Sequence, residues 1–231
     1  PVSADAPWAP GGIVLAAGAG RRMGHLPKSL LLRDGEPLVL RQLRLLREAG
    51  VGPCVVVLGH HADAIAPACR GLATLMRNPR PDEGGTALSL RLGLQALPDG
   101  LPGIVVTLGD LPLLGTADIA ALLDAWRARP AGIHLLLPVH DEAPGHPLIL
   151  DAALRRELLA APEPRTLKAW RAAHPQGWQA LAVDHARGHR DVDTPADLQA
   201  LRRDTGVALS LPVLPPLSTD GAHPCRGLPP T

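Results

Sequence analysis

A glycine-rich segment that follows an apolar run near the start of the chain constrains the fold most strongly. Residues 12–16 read Gly-Ile-Val-Leu-Ala and are typical of a buried strand, and residues 17–24 read Ala-Gly-Ala-Gly-Arg-Arg-Met-Gly. Backbone N–H groups of such a turn bind phosphate oxygens, and Arg21, Arg22 and Lys28 add three positive charges. The segment therefore predicts a polyphosphate site, with a solvated surface loop as the alternative interpretation.

Two better-known phosphate motifs do not fit this segment. The glycine spacing differs from the dinucleotide fingerprint G-x-G-x-x-G, and the second predicted strand ends without an acidic residue. The nucleotide-binding P-loop requires a glycine before its lysine, whereas Pro27 precedes Lys28. Because proline has no N–H to offer a phosphate, this second motif is excluded as well.

Length and composition favour one α/β domain with a substantial core. The chain has 231 residues, of which 46% are hydrophobic. A formal net charge of +1 provides no global field for nucleic acid or an acidic membrane surface, so neither is an expected partner. Tyr and Phe are absent, which disfavours a site that stacks bases on aromatic side chains.

Targeting and membrane signals are not recognised in the sequence. Residues 1–10 contain Asp5 and three prolines in place of a basic start followed by an apolar run, and no stretch is long and apolar enough to span a bilayer. The odd number of widely spaced cysteines, Cys54, Cys69 and Cys225, fits a reducing compartment. These features predict a cytoplasmic protein.

Strand-like apolar runs alternate with helix-like periodic segments, which is typical of a mostly parallel sheet covered by helices on both sides. The predicted strands are Ile13–Ala17, Cys54–Leu58, Ala73–Met76, Ile104–Leu108, Ile133–Leu137 and Gln179–Val183. The predicted helices are Pro37–Ala49, Ala62–Cys69, Thr86–Leu97, Thr116–Arg129, Asp151–Leu159 and Thr194–Arg203. The domain is expected to span residues 11–205, between an N-terminal tail at 1–10 and a Pro-rich C-terminal tail at 206–231.

Asp110 is a candidate magnesium ligand. It follows the predicted strand Ile104–Leu108 after a single glycine, at the carboxyl end where open parallel sheets bind ligands. One carboxylate together with phosphate oxygens is a usual way to hold Mg²⁺, because the ion keeps several waters. An aspartate that caps a turn is the alternative interpretation.

Asp191 and Asp193 form a second acidic site on either side of Val192. This alternation predicts a short strand with both carboxylates on one face. Because Thr194 starts a helix, one carboxylate is explained by that N-terminus, and Asp191 is the preferred metal ligand of the two. His146, in a Gly-His-Pro loop, is a candidate ligand contact or a turn histidine with a local hydrogen bond.

Together these motifs resemble those of nucleotidyltransferases related to molybdenum-cofactor biosynthesis. The resemblance covers residues 12–203, and the cytidylyltransferase subgroup is the most similar. The motifs that support it are L-A-A-G-x-G-x-R-M-G…P-K at 15–28, the segment 78–93, L-G-D-L-P at 108–112, G-H-P at 145–147 and D-V-D-T-P at 191–195.

The resemblance implies a Rossmann-like nucleotidyltransferase fold of three α/β/α layers with a mostly parallel mixed sheet. It also implies Mg²⁺-dependent transfer of a cytidylyl group from CTP to the terminal phosphate of molybdopterin, with release of pyrophosphate. A molybdoenzyme or its maturation factor is then a partner.

By motif position, the resemblance assigns catalysis to Lys28, Arg22 and Asp110, Mg²⁺ binding to Asp110 and Asp191, and acceptor binding to His146. It assigns nucleotide contacts to Leu15, Ala16, Ala17, Gly18, Ala19, Gly20, Arg21, Arg22, Lys28, Gly85 and Ser89.

Two alternatives to this function stay open. The first is another enzyme of the same fold that acts on sugar phosphates or transfers a guanylyl group to molybdopterin. The second is a non-catalytic carrier of molybdopterin or nucleotide, which the metal-ligand candidate Asp110 beside Lys28 and Arg22 disfavours.

Overall fold

The computed structural model describes residues 8–83 and 85–212. The strands in these residues are β1 (Gly11–Ala16), β2 (Leu32–Arg33), β3 (Glu36–Pro37), β4 (Cys54–Leu58), β5 (Thr74–Arg77), β6 (Ile104–Leu108), β7 (Leu135–His140), β8 (Ala143–Pro144), β9 (Leu148–Leu150), β10 (Trp178–Ala182) and β11 (Leu209–Ser210). The α-helices are α1 (Leu38–Glu48), α2 (Ala62–Cys69), α3 (Thr86–Ala96), α4 (Thr116–Arg127), α5 (Ala152–Ala160), α6 (Leu167–Ala173) and α7 (Pro195–Thr205).

The main sheet has the strand order β10-β7-β9-β6-β1-β4-β5, and β8 pairs with β7. Strand β1 runs parallel to β4 and β6, and β5 runs parallel to β4. Strand β9 is antiparallel to both of its neighbours, β6 and β7. The carboxyl ends of β1, β4 and β6 therefore lie at one edge of the sheet, and the loops that follow them meet there.

Helices cover both faces of this sheet. On one face Val14 of β1 belongs to a core with Trp126 of α4, and on the other face Ile13 belongs to a core with Leu94 of α3 and Trp170 of α6. Neighbouring strand residues point to opposite faces, so one strand contributes to both cores. The predicted three-layer α/β/α architecture with a mostly parallel mixed sheet is confirmed.

All six predicted strands and all six predicted helices are present, with ends that differ by up to three residues. The short elements β2, β3, β8, β9, β11 and α6 were not predicted, because two to seven residues are too few to show a periodic pattern. Thr116, which the sequence favours as the N-cap of α4, is instead its first residue: Gly115 is the N-cap, and its N–H donates to the carboxylate of Asp118 at 2.8 Å.

Both predicted tails include residues that pack on the domain. Trp8 packs against the core, with the guanidinium of Arg127 4.1 Å from its ring centroid. After residue 206, strand β11 pairs with β2 in a separate sheet of order β11-β2-β3. Residues 1–7, Gly84 and 213–231 lie outside the described part of the chain, and so does most of the predicted C-terminal tail.

Cys54 and Cys69 are free thiols, and burial raises the pKa of each to about 11. The third cysteine, Cys225, lies outside the described residues. Among the helices that the structure describes, none has the length and apolar character needed to cross a membrane.

Candidate active site

The glycine-rich loop after β1 is tight at one glycine and open at another. Gly20 has a φ of +59°, and a Cβ there would overlap the carbonyl oxygen of Leu26. The carbonyl oxygen of Gly20 accepts hydrogen bonds from the N–H groups of Met23 and His25 at 2.9 and 3.0 Å. A Cβ at Gly18 would meet no atom within 4 Å. The fold therefore requires glycine at position 20, while Gly18 leaves its backbone accessible to a ligand.

Lys28 lies between two carboxylates. Its Nζ is 2.8 Å from Oδ2 of Asp110 and 2.7 Å from Oδ1 of Asp193, and Arg22 also pairs with Asp193. Burial alone lowers the pKa of Lys28, but the charges and hydrogen bonds of Asp110 and Asp193 outweigh it, so the net pKa is raised. The ammonium group is thus held positively charged and 14% exposed at the centre of the site.

The turn after β6 places Asp110 beside the loop after β1. The N–H of Gly109 donates to the carbonyl of Leu15 at 2.9 Å, which joins the two strand ends. A Cβ at position 109 would lie 2.8 Å from Oγ of Ser29, so only glycine allows this close approach. Adjacent parallel strands therefore bring the predicted candidates Lys28 and Asp110 together across one cleft.

The short strand that was predicted over residues 191–193 is absent from the structure. Residues 191–193 are irregular, and buried Val192 anchors them in a small core with α7. The N–H of Asp193 donates to Oδ2 of Asp197 at 3.0 Å, which fixes the carboxylate of Asp193 toward Lys28. The sequence pattern identified Asp193 but not the direction of its carboxylate. The irregular backbone at residues 191–193 does not place alternate side chains on opposite faces, as a strand would.

Asp191 lies at the exposed rim of the same site. Although the residue is exposed, desolvation on its inner side raises its pKa, and the negative charges of Asp193 and Asp110 raise it further. The positive charge of Lys28 acts in the opposite direction and lowers the pKa of Asp191.

This donor set fits a divalent cation that is shared with phosphate. Within residues 8–83 and 85–212, no group of three or more His, Cys, Asp or Glu side chains has a geometry that would hold a metal ion. Oxygen donors such as Asp110 suit Mg²⁺, which is commonly held by one or two carboxylates together with substrate phosphates and water. The residues present therefore supply only part of a coordination shell.

Three cavities lie side by side along the carboxyl edge of the sheet. The first, of about 280 Å³, contains the predicted phosphate contacts and is lined by Gly18, Ala19, Gly20, Arg21, Arg22, Lys28 and Asp193. The second, of about 310 Å³, contains predicted nucleoside contacts and is lined by Leu15, Ala17, Gly18, Pro81, Gly85, Thr86, Ser89, Leu108 and Asp110. Gly18 borders both cavities, so they are adjacent.

Ala16 is the predicted contact that the structure places elsewhere. Its side chain is buried in the core between β1 and the helices on that face, because alternate strand residues face opposite sides. Ala16 lines neither cavity, and Leu15 and Ala17 border the second one instead.

Ser89 gives the second cavity a fixed polar group. The residue is 3% exposed, and its Oγ accepts a hydrogen bond from Nδ2 of Asn78 at 3.0 Å. The amide of Asn78 is itself fixed, since its Oδ1 accepts from the N–H of Arg80 at 2.9 Å. The hydroxyl proton of Ser89 is then available to donate to a ligand.

Arg21 connects the glycine-rich loop to the segment between β5 and α3. Its guanidinium pairs with the carboxylate of Asp82, which also lies 3.2 Å from Nε2 of His60. Sequence reasoning missed Asp82, because a loop aspartate 61 residues from its partner has no distinguishing pattern.

The third cavity, of about 410 Å³, is largely apolar. It shares Leu15, Thr86 and Leu108 with the second cavity. Its other lining residues are Ala87, Leu90, Val106, Leu137, Pro144, Gly145, His146, Leu148, Thr166, Leu167, Lys168 and Arg171.

His146, the predicted acceptor contact, borders the third cavity as a neutral group. Burial and the nearby His189 lower the pKa of its imidazole to about 4. The backbone N–H of His146 donates to the carbonyl oxygen of Gly188 at 2.9 Å, which fixes the position of this loop. His146 can therefore form hydrogen bonds with a ligand at neutral pH, but it provides no positive charge.

Comparison with known proteins identifies the family of this fold. The family model described as the MobA-like NTP transferase domain matches residues 12–178. Among curated proteins, the bifunctional protein GlmU of Mycobacterium sp. (strain KMS) is 37% identical over 145 residues, which cover 60% of this chain and 29% of that protein. The chain thus spans less than a third of this curated relative.

Solved structures share most of this fold. The crystal structure of Rv0371c from Mycobacterium tuberculosis has a TM-score of 0.69 and 27% identity, covering 84% of this chain and 98% of that chain. A crystal structure of the same protein in complex with manganese has a TM-score of 0.65 and 26% identity, with 84% and 97% coverage.

Proposed function

Because this chain belongs to the family of MobA-like NTP transferase domains, we propose that it transfers a cytidylyl group from CTP to the terminal phosphate of molybdopterin. Pyrophosphate is the second product, and Mg²⁺ is the proposed metal. The observation that supports the proposal best is the row of three adjacent cavities: the first contains Arg22 and Lys28, the second contains Ser89 and Asp110, and the third has mainly aliphatic walls.

The three adjacent cavities offer a separate place for each of the three groups in the reaction. A triphosphate lies against Arg22 and Lys28, the nucleoside lies against Ser89, and the acceptor enters from the apolar cavity. An oxygen of the acceptor phosphate forms a bond to the α-phosphorus, while the bond from that phosphorus to pyrophosphate breaks. Holding the reacting atoms in line and close together is the main contribution of the protein to such a step.

Lys28 and Arg22 provide fixed positive charge for the departing pyrophosphate. In the structure both cations are paired with carboxylates, and the raised pKa of Lys28 keeps it protonated. Phosphate oxygens replace these carboxylates as partners, so no large reorganisation of the cations is needed. A bound divalent cation would be held by Asp110 with Asp193 or Asp191, and it would neutralise charge between the phosphate groups.

The apolar cavity favours molybdopterin over a sugar phosphate as the acceptor. Its walls are mainly aliphatic side chains, and a sugar there would lose hydrogen bonds between its hydroxyl groups and water. A fused planar ring system buries its faces against such walls at little cost. The ion-paired Lys28 and Asp110 also favour an enzyme over a carrier, since binding alone does not require a metal ligand.

Transfer to a sugar phosphate is the second candidate function. The 37% identity with GlmU favours it, although the match covers only 29% of that protein. Transfer from GTP to molybdopterin is a further variant, because the hydroxyl of Ser89 does not by itself select the base.

A pyrophosphate-release assay separates these candidates. The purified protein is incubated with Mg²⁺ and each nucleoside triphosphate, with molybdopterin or a hexose 1-phosphate as acceptor. We expect release with CTP and molybdopterin together. Release with a hexose 1-phosphate, or with GTP in place of CTP, would replace the proposal by the corresponding alternative.

A further inference from the structure

Helix α6 brings two cations to the rim of the apolar cavity. Lys168 and Arg171 both line it, one turn apart on the helix. Most other lining residues are aliphatic or small, and His146 is neutral because its pKa is lowered to about 4. The positive charge at this cavity therefore comes from α6 alone among its lining residues.

Neither cation forms an ion pair with the part of the chain that the structure describes. Within residues 8–83 and 85–212, no carboxylate lies within 4.0 Å of the charged nitrogens of Lys168 or Arg171, whereas Arg165, just before the same helix, pairs with Glu157. The guanidinium of Arg171 lies 5.0 Å from the ring centroid of Trp178, an arrangement that orients it without cancelling its charge. Arg171 is half-buried beside the apolar walls and Lys168 is exposed at their rim, so both can face an anion at the mouth of the cavity.

These cations are separate from the phosphate site. Asp110 lines the nucleoside cavity, whereas Lys168 and Arg171 line only the apolar one. The two cavities share only Leu15, Thr86 and Leu108. The phosphate that reacts beside Asp110 is therefore not the group that faces α6.

We propose that Lys168 and Arg171 bind a second anionic group of the acceptor, at the rim of the apolar cavity that α6 forms. The acceptor is then an apolar or planar body with negative charge at two places, the reacting phosphate and a group that contacts α6. This inference rests on the proposed function only in treating the apolar cavity as the acceptor site.

A pair of fluorescent probes tests the charge match without turnover. The anion 8-anilinonaphthalene-1-sulfonate and the neutral N-phenyl-1-naphthylamine have similar apolar bodies and differ in the sulfonate. They are titrated into wild-type protein, Lys168→Gln, Arg171→Gln and a control, Arg156→Gln, whose side chain is exposed on α5 and lines a different cavity. The affinity for CTP with Mg²⁺ is measured on the same samples, and thermal unfolding shows whether each variant is folded.

We expect each α6 variant to bind the sulfonate roughly tenfold more weakly than wild type, because a hydrogen bond to a charged group is lost. Binding of the neutral probe and of CTP stays unchanged, and Arg156→Gln behaves like wild type. Equal sulfonate affinity in all four proteins, or equal loss for both probes, would overturn the inference. If wild type binds no CTP while the sulfonate pattern holds, the proposed function fails and the anion site on α6 stands.

Discussion

The cationic loop and the apolar cavity are built in opposite ways, although they share one cleft. The loop concentrates its glycines and cations within residues 17–28, and two carboxylates complete it. The walls of the apolar cavity come from α3, β6, β7, β9 and α6, which are distant from one another in sequence. Its charged lining residues, Lys168 and Arg171, are not adjacent in the chain. One region is a local motif, and the other is a product of the fold.

This difference predicts a separation of roles. Backbone N–H groups and fixed charges suit a triphosphate, which is common to all nucleoside triphosphates, whereas shape and apolar area select the acceptor. Variants in the loop should therefore change nucleotide binding and turnover, and variants in the cavity should change only acceptor binding.

Removal of Lys28 should have the largest effect. We expect Lys28→Ala to lower the turnover number roughly 100- to 1000-fold, as for loss of one preorganised group that stabilises developing charge. The measurement is pyrophosphate release with both substrates saturating. Arg77→Ala, at an exposed ion pair with Asp63, is the control. Near-normal turnover of the Lys28 variant would show that the loop cations are not catalytic.

Two glycines of the loop, Gly20 and Gly24, have a positive φ and allow a matched test of loop geometry. Gly24→Ala places a Cβ in open space and should lower the free energy of unfolding by about 1 kcal/mol, the cost of a left-handed backbone. Gly20→Ala also overlaps the carbonyl of Leu26, so we expect at least about 2 kcal/mol and weaker CTP binding. Urea unfolding and CTP titration measure both. Identical behaviour of the two variants would contradict the described loop.

Metal dependence should distinguish the carboxylates. We expect Asp110→Asn to weaken the apparent Mg²⁺ affinity about tenfold or more, since changes even to outer partners of a metal site have effects of that size. Asp191→Asn should have a smaller effect, because Asp191 is exposed and makes no contact with Lys28 within 4.0 Å. Turnover is titrated with Mg²⁺ for each variant, and equal losses would contradict this ranking.

In the apolar cavity, Leu167 is a wall residue that a substitution can shorten. Leu167→Ala removes part of a half-buried side chain at the start of α6, and the KM for the acceptor should rise about fivefold. The KM for CTP should not change. Leu72→Ala, at an exposed leucine outside the three cavities, is the control. A parallel rise in both KM values would show that the two regions are not separable.

The start of α7 should have the smallest effect and a defined pH dependence. Thr194→Ala removes the N-cap, which accepts from the N–H of Asp197 at 3.2 Å, and should lower the free energy of unfolding by about 1 kcal/mol.

Hydrogen bonding with Thr194 lowers the pKa of Asp197 below its ordinary value of 3.8. The stability that ionised Asp197 contributes is therefore full above that value and is lost as pH falls through the lowered pKa. Urea midpoints of wild type and Asp197→Asn between pH 2 and pH 7 should converge only at the acidic end, and a constant difference would contradict this.

The sequence was sufficient for the layered fold and for the cationic side of the site. Apolar runs and helical periodicity extend over four or more residues in each predicted element, and the glycines and cations of the loop all lie within residues 17–28. Because adjacent parallel strands end at the same edge, the meeting of Lys28 with Asp110 also follows from the pattern.

The remaining features depend on contacts that no local pattern encodes. Strand β9 has three residues and α6 has seven, which is too short for periodicity to show. The orientation of Asp193 depends on its hydrogen bond to Asp197, and Arg21 finds Asp82 only after folding. One signal for the anion site was present, since Lys168 is one of two lysines in a chain that otherwise uses arginine.

The ion pair between Lys28 and Asp193 joins residues that are 165 positions apart. During synthesis on the ribosome the glycine-rich loop emerges early, but its orienting carboxylate follows only after most of the domain has been made. A nascent chain therefore lacks the Asp193 partner of Lys28 and Arg22 until the segment before α7 has been made. The cleft is therefore completed only when translation of the domain is nearly finished.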